Sequence, residues 1–166
     1  MNSHYWIKNL GLQPHPEGGY FKEVFRSDEQ IPQSSLPSRY HGSRAYTTSI
    51  YFLLSGNDFS AFHRITSDEI WHLYAGCSLT LYQIMPDGEL IIQKLGTNLE
   101  KGERPQIIIP RNSWFAAKPD FEDSFTLVGC SVSPGFDFSD FELAKRSLLT
   151  QQYPQHQELI AEFTRM

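Results

Sequence analysis

The sequence contains few cysteines, no excess of basic residues and no long apolar run. Its two cysteines, Cys77 and Cys130, lie far apart and match no metal-binding or redox spacing, which favours two buried thiols in a reducing compartment. The 14 lysines and arginines are outnumbered by 19 acidic residues and form no basic aromatic strip, so we expect no nucleic-acid partner. The sequence shows no apolar run long enough to span a membrane and no N-terminal leader in which a charged segment is followed by an apolar one. We therefore expect the protein to be cytoplasmic and to have no membrane partner.

Aromatic residues and short β-type runs are abundant by contrast. The chain has 12 Phe, 8 Tyr and 3 Trp, which is typical of a well-filled β core. From Ala45 onward, short runs of β-branched, apolar and aromatic residues alternate with turn signals such as Pro86-Asp87-Gly88. About eight strands at this spacing predict an all-β sandwich or jelly-roll barrel over about residues 20–133.

Helical signals lie near the two ends of the chain. Tyr5–Leu10 followed by Gly11 as a C-cap predicts a short N-terminal helix. A capping box at Ser139–Glu142 predicts C-terminal helices over about residues 139–164. Because the 166 residues show no internal repeat and no break in composition, we expect a single domain over residues 1–166.

The stretch between residues 56 and 76 holds the strongest functional candidates. It is predicted to form two strands joined by a short turn, with His63 and Ile65 on the first and Glu69 and Trp71 on the second. Strand side chains alternate between faces, so the two residues of each pair share a face. If both faces point inward, an imidazole, a carboxyl group and an indole meet inside one barrel.

The spacing of these residues resembles the first motif of the cupin superfamily. His63, Glu69 and Gly76 occupy the positions of a metal-binding histidine, the glutamate and the closing glycine of that motif. Ile65 and Phe115 stand where metal-dependent cupins have their two other histidine ligands. The resemblance therefore implies a site without a metal, with a divalent ion at His63 and Glu69 as the weaker alternative, because catalytic metal sites normally use three protein ligands.

Longer stretches resemble one uncharacterised cupin group, catalogued as domain of unknown function 985. The similar stretches are His15–Ser27, Ser60–His72, Ile109–Ala117 and Val128–Leu143. The resemblance implies a cupin double-stranded β-helix with short terminal helices, a ligand-sized cavity in the barrel, a cytosolic location and a homodimer. It implies no particular reaction, because the group is defined by sequence.

Several residues are candidates for lining a ligand pocket. Trp71, Ile65 and Phe115 share the predicted inward faces and could form its walls. Tyr51 and Tyr82 lie on predicted strands whose inward face is undecided. Either tyrosine could supply an acid, as a tyrosine does in the metal-free sugar-nucleotide epimerases of the same superfamily.

Two irregular loops carry residues whose positions the sequence leaves open. Glu17 precedes two glycines, and is either part of a tight turn or placed over the barrel mouth. His15 could reach the barrel from the same loop, and His41 could do so from the second loop. In that second loop, Arg39, His41 and Arg44 either form a solvated surface or bind an anionic group of the ligand.

Several functions are compatible with these residues. An imidazole of near-neutral pKa can act as a general base, so the favoured hypothesis is a metal-independent epimerase or isomerase of a small polar, carbohydrate-like molecule, with His63 as base and Glu69 assisting. The alternatives are a non-catalytic small-molecule binding or sensing protein and a metal-dependent oxygenase or isomerase. In a purely structural interpretation, His63 and Glu69 only hydrogen-bond each other. The sequence alone leaves open whether the protein is an enzyme.

Overall fold

A computed structural model describes residues 2–165, which form short helices around a largely β core. No helix in this range is long and apolar enough to cross a membrane. The elements are α1 (Ser3–Leu10), β1 (Gln13–Pro14), β2 (Tyr20–Arg26), β3 (Gln30–Ile31), β4 (Arg44–Ala45), β5 (Thr48–Ser55), β6 (Ser60–Arg64), β7 (Asp68–Gly76), β8 (Leu79–Ile84), β9 (Leu90–Leu95), β10 (Gln106–Ile109), β11 (Trp114–Pro119), β12 (Phe125–Ser133), β13 (Glu142–Leu143), α2 (Arg146–Gln152) and α3 (Gln157–Glu162).

Two antiparallel sheets face each other and enclose the main core. One has the strand order β1-β2-β5-β12-β7-β10 and the other has the order β13-β6-β11-β8-β9. Phe52 and Trp71 from the first sheet meet Leu81 and Phe115 from the second in one buried cluster. The prediction of an all-β jelly roll is confirmed. Because β6 and β7 belong to opposite sheets, consecutive strands of the chain supply opposite walls of the barrel.

Helix α1 covers the outer face of the six-stranded sheet. Asn2 caps it by accepting a hydrogen bond from the Tyr5 backbone, and Gly11 ends it in the left-handed conformation with φ of 64°. The predicted N-terminal helix and its glycine C-cap are therefore confirmed. The apolar side chains of α1 pack with Leu53 and Leu127, which point outward from the sheet.

The C-terminal helices cover the outer face of the five-stranded sheet. Trp114 and Phe62 point outward from β11 and β6 and pack with Leu149, Ile160 and Phe163. This sheet therefore carries the barrel core on one face and the helices on the other, as strand alternation requires.

The capping box at Ser139–Glu142 does not start a helix, so this part of the prediction was wrong. Asp137 instead caps a single 3-10 turn, and the chain then forms strand β13. Glu142 and Leu143 pair with Arg64 and His63 of β6, which would otherwise leave its backbone groups unpaired at the sheet edge. The first α-helix of the C-terminal segment begins later, at residue 146.

Candidate functional site

A cavity of about 250 Å³ lies between the two sheets. This volume is slightly below the roughly 300–1,000 Å³ of typical ligand pockets, so it suits a small molecule. Its buried end carries polar side chains from both sheets and from the loop before β2: His15, Glu17, His63, Glu69 and Cys130. Its solvent-facing end carries Glu23, Arg26 and Asp137, which are exposed.

The glycine-rich turn before β2 carries Glu17 into the cavity. Gly18 and Gly19 adopt φ of 116° and 69°, a region that side chains with a Cβ rarely enter. The turn is closed by backbone hydrogen bonds between His15 and the two glycines. The carbonyl of Glu17 accepts a hydrogen bond from the Ala61 backbone at 2.9 Å, which fixes the turn to β6. Main-chain contacts therefore fix the backbone from which the Glu17 side chain enters the cavity.

Glu17 and His63 share a proton. Nδ1 of His63 lies 2.8 Å from the Ala61 carbonyl oxygen, which can only accept, so Nδ1 carries a hydrogen. Nε2 of the same ring lies 3.0 Å from Oε2 of Glu17. A neutral ring with its hydrogen on Nδ1 has a lone pair on Nε2, so the contact requires a proton between the two atoms.

Burial places that proton on the carboxyl side of the pair. The pKa of Glu17 is raised well above its usual value, first by burial and then by the charge of Glu69, although the Ser60 hydroxyl donates to Oε1 at 2.8 Å and partly offsets the rise. Burial likewise lowers the pKa of His63 to about 3. Both shifts favour a neutral pair in which Glu17 is a carboxylic acid and His63 a neutral imidazole.

His15 is a second neutral imidazole beside the same carboxyl group. Its Nδ1 lies 3.3 Å from Oε2 of Glu17, and its side chain is 8 % exposed. Burial lowers the pKa of His15 to about 4. The ring packs edge-on against Phe21, with the ring centroids 4.7 Å apart. Neither histidine in the cavity therefore contributes a positive charge at neutral pH.

Glu69 lies on the opposite wall, and burial raises the pKa of its carboxyl group to about 7. The neighbouring Trp71 indole and Cys130 thiol offset part of this rise. Nε1 of Trp71 is buried close to Glu69, but its contact with the carboxyl group is not a hydrogen bond of good geometry. A carboxyl group with this pKa is present in both protonation states at neutral pH, as a general acid or base requires.

Four of the residues selected from the sequence meet in this cavity. His63 and Ile65 line it from the five-stranded side, and Glu69 and Trp71 line it from the six-stranded side. Phe115 is fully buried and does not line the cavity. Its ring packs against that of His63, with centroids 4.0 Å apart, so it supports the imidazole from behind.

The structure places three residues that the sequence suggested for ligand binding outside this cavity: Tyr51, Tyr82 and Arg44. Tyr51 points outward from β5 into the cluster covered by α1, because its neighbours Ile50 and Phe52 take the inward face. Tyr82 points outward from β8 and packs against Phe163, with ring centroids 4.9 Å apart. Arg44 forms a buried ion pair with Asp140 at 2.6 Å, which neutralises its charge.

Glu17 and His15 are the residues that sequence reasoning placed least well. The sequence left open whether each reaches the barrel, and both do. His41 lies instead beside Arg39 in a separate shallow pocket. The available signal was an acidic residue between Pro16 and two glycines, but a loop has no periodicity from which to read a facing direction.

The cavity fits a metal ion poorly. Two of the four cupin ligand positions are Ile65 and Phe115, which have no donor atoms, and the carboxyl group of Glu17 is already engaged by His63 and Ser60. Among residues 2–165, no group of three or more His, Cys, Asp or Glu side chains is arranged to hold a metal ion.

A barrel of two antiparallel sheets, with a histidine and a glutamate from consecutive strands facing its interior, is the architecture of a cupin. The similarity of the chain to known proteins agrees with this class. The chain belongs to the family described as Cupin superfamily (DUF985), whose model matches residues 4–144.

The relatives at moderate identity are themselves without an established function. The chain is 30% identical over 149 residues to the uncharacterized protein YML079W of Saccharomyces cerevisiae, covering 84% of this chain and 73% of that one. It is similar to the crystal structure of protein SO0799 from Shewanella oneidensis, with 42% identity, a TM-score of 0.90 and coverage of 99% and 98%. A hypothetical protein from Leishmania major gives 34% identity, a TM-score of 0.90 and full coverage of both chains (100% each).

A more distant likeness concerns the fold alone. Oxalate decarboxylase from Bacillus subtilis is 13% identical, with a TM-score of 0.55, and the match covers 90% of this chain and 36% of that one. At this identity the likeness carries no information on substrate or reaction. The cavity of this chain must therefore be interpreted from its own residues.

Proposed function

We propose that this protein binds a small polar carbonyl compound in the barrel and transfers protons on it, as an epimerase or isomerase of a carbohydrate-like molecule. One observation carries the proposal. The cavity holds a proton-sharing Glu17–His63 pair on one wall and, on the other, Glu69 with its pKa near 7. Acids and bases whose pKa values are pushed in this way are typical of sites that move protons.

The roles of the residues follow from their protonation states. Glu69 in its ionised form removes a proton from the carbon next to the carbonyl group. The Glu17 hydroxyl donates a proton to the carbonyl oxygen, which gives an enediol. Glu69 then returns its proton to the former carbonyl carbon while Glu17 takes the proton of the neighbouring hydroxyl group, which gives the isomer. If the enediol first turns over, Glu69 returns its proton to the opposite face of the original carbon and the enol oxygen returns its proton to Glu17, which gives the epimer. No oxidant, reductant or other co-reactant is consumed.

His63 acts through Glu17 in this scheme. The sequence alone suggested His63 as the base, but burial makes its imidazole a weak base, so Glu69 takes that role here. His63 positions the Glu17 hydroxyl by accepting its hydrogen bond at Nε2 before the proton passes to the carbonyl oxygen, and that proton returns to Glu17 from the enediol. Its own orientation is fixed by the Ala61 carbonyl and the ring of Phe115.

The test combines a ligand screen with isotope exchange. Small sugars and hydroxy-carbonyl compounds are screened for thermal stabilisation, and each ligand found is incubated with the protein in deuterated water. We expect deuterium to enter the carbon next to the carbonyl group. Glu69→Gln should slow this exchange by about 100-fold or more, and His63→Ala should slow it too, because each removes a group that moves or holds a proton. Glu89→Gln, on an exposed hairpin far from the cavity, is the matched control.

A non-catalytic binding protein is the second candidate, and one observation favours it. The Glu17 carboxyl group already contacts His63, His15 and Ser60, so its proton is held by the protein itself. Recovery of a tightly bound ligand with no deuterium incorporated would support this function and contradict proton transfer. The absence of any stabilising small molecule in a broad screen would contradict both.

A further inference from the structure

The charges that line the cavity are unbalanced. Its acidic residues are Glu17, Glu23, Glu69 and Asp137, whereas Arg26 is its one lysine or arginine among the described residues. Arg26 donates hydrogen bonds to both carboxylate oxygens of Glu23, at 3.0 and 2.6 Å. Glu23 therefore neutralises the charge of Arg26. Burial keeps both histidines and Glu17 neutral, and Asp137 lies near Arg26 and Arg44. Glu69 is therefore the buried carboxyl group of the cavity that has no cation of its own.

Aromatic rings form most of the remaining wall. Three come from strands of the six-stranded sheet and three from the segment after β12: Phe21, Phe52, Trp71, Phe136, Phe138 and Phe141. The faces of such rings carry partial negative charge and attract cations. Such rings and the ionised carboxylate of Glu69 together recognise an ammonium group, whereas that carboxylate would repel an anion.

We infer that the ligand of this cavity carries a positively charged nitrogen, held by the aromatic rings and by Glu69. The proposed reaction requires a hydroxyl or carbonyl group near this nitrogen. Amino sugars and other amino alcohols or amino carbonyl compounds have this combination. The inference rests on the proposal that this cavity is the ligand site, and it narrows the substrate class.

Binding of such a cation should be linked to proton release. The groups that face Glu69 are Glu17, the Cys130 thiol and the two imidazoles, none of which is positively charged at neutral pH. A bound cation therefore favours the ionised form of Glu69. Since the pKa of Glu69 is about 7 without ligand, affinity should rise between about pH 6 and about pH 8, and binding at the lower pH should release protons.

The experiment uses matched pairs of charged and neutral molecules with the wild-type protein. Choline is compared with the alcohol in which carbon replaces its nitrogen, and glucosamine is compared with glucose, by calorimetry at the two pH values. We expect the charged member of at least one pair to bind about tenfold more tightly than the neutral one. For choline, which does not titrate, the heat at the lower pH should vary with the buffer because protons are released.

Glu69→Gln tests the residue that holds the charge. It should reduce choline or glucosamine affinity about tenfold and abolish the pH dependence of choline binding, with no change for the neutral members, while Glu89→Gln should behave as wild type. Equal or tighter binding of the neutral members, or no binding of any charged member, overturns the inference. A neutral sugar that binds more tightly than its charged partner and exchanges its protons would also overturn the inference. It would leave the proposed function intact. If Glu69→Gln fails to fold, the wild-type pairs and proton release still decide.

Discussion

At the scale of single residues, the contact between Glu17 and His63 determines the chemistry of the cavity. A buried ion pair and a buried neutral pair have the same heavy-atom geometry, yet they respond differently to mutation. In the neutral form Glu17 donates one hydrogen bond to His63 and accepts one from Ser60. A glutamine side chain has the same shape and can make both hydrogen bonds.

Glu17→Gln should therefore be tolerated, with a loss of no more than about 1 kcal/mol in the free energy of unfolding. Glu17→Ala should cost about 3 kcal/mol, because it leaves the polar atoms of His63 and Ser60 buried without partners. Urea denaturation of the two variants beside wild type makes the measurement. If glutamine costs as much as alanine, the pair is ionic, since removing one charge of a buried ion pair costs about 3–5 kcal/mol.

Glu69 should make the stability of the protein depend on pH. Its pKa in the folded state is about 7, above the usual value of 4.5, so the folded state holds a proton that the unfolded state releases. The resulting stability is fully present below about pH 4.5 and is lost as the pH rises through 7. Between about pH 5 and about pH 8, wild type should lose about 3 kcal/mol more than Glu69→Gln. Parallel losses in the two proteins would contradict the raised pKa.

His63 and Glu69 could be found from the sequence because strand alternation and spacing fix both their faces and their separation. Glu17 could not, because its position depends on a turn whose contacts with β6 are made by the main chain. The facing of Tyr51 and Tyr82 could not be read from the sequence for a different reason. Their strands are covered on both sides, one by α1 and the other by the C-terminal helices, so apolar neighbours do not reveal the inward face.

At the scale of elements, strand pairing overrides local signals. The residues of Ser139–Glu142 satisfy a helix-capping pattern, yet the edge of β6 offers backbone partners to the segment that follows. A local pattern contributes about 1 kcal/mol, which long-range pairing and burial exceed. Strands from β5 to β12 were predicted more successfully because their alternation and turn residues agree with the pairing that the fold uses.

Gly76, at the end of β7, should not tolerate a side chain. Its φ is 96°, and a Cβ there would collide with the Phe125 backbone carbonyl. We expect Gly76→Ala to cost about 3 kcal/mol or more, from backbone strain and overpacking together. Gly102→Ala is the matched control, because φ there is 79° but the surroundings are open. It should cost about 1 kcal/mol from strain alone. Equal losses in thermal unfolding would mean that the collision is relieved by local movement.

At the scale of the whole molecule, we propose a homodimer. The outer strands β9 and β10 leave Ile92 and Ile108 more than half exposed, at 56% and 57%. Exposed apolar residues on sheet edges favour association with another chain. Light scattering at micromolar concentration should give twice the chain mass of 19.1 kDa. A mass of 19.1 kDa across the concentration range would contradict the dimer.

Alternate residues in the strands of the five-stranded sheet have two different roles, because one set faces the barrel and the other faces the C-terminal helices. On β11, Phe115 supports the cavity, whereas Trp114 and Ala116 secure the C-terminal helices, and on β6 His63 and Phe62 divide in the same way. An engineer could therefore vary His63 and Ile65, the cavity-lining positions in and just after β6, to seek new ligands and leave every outward position fixed. Such a library samples recognition with little effect on the helix-packed layer, which makes this barrel a practical starting point for designed small-molecule receptors.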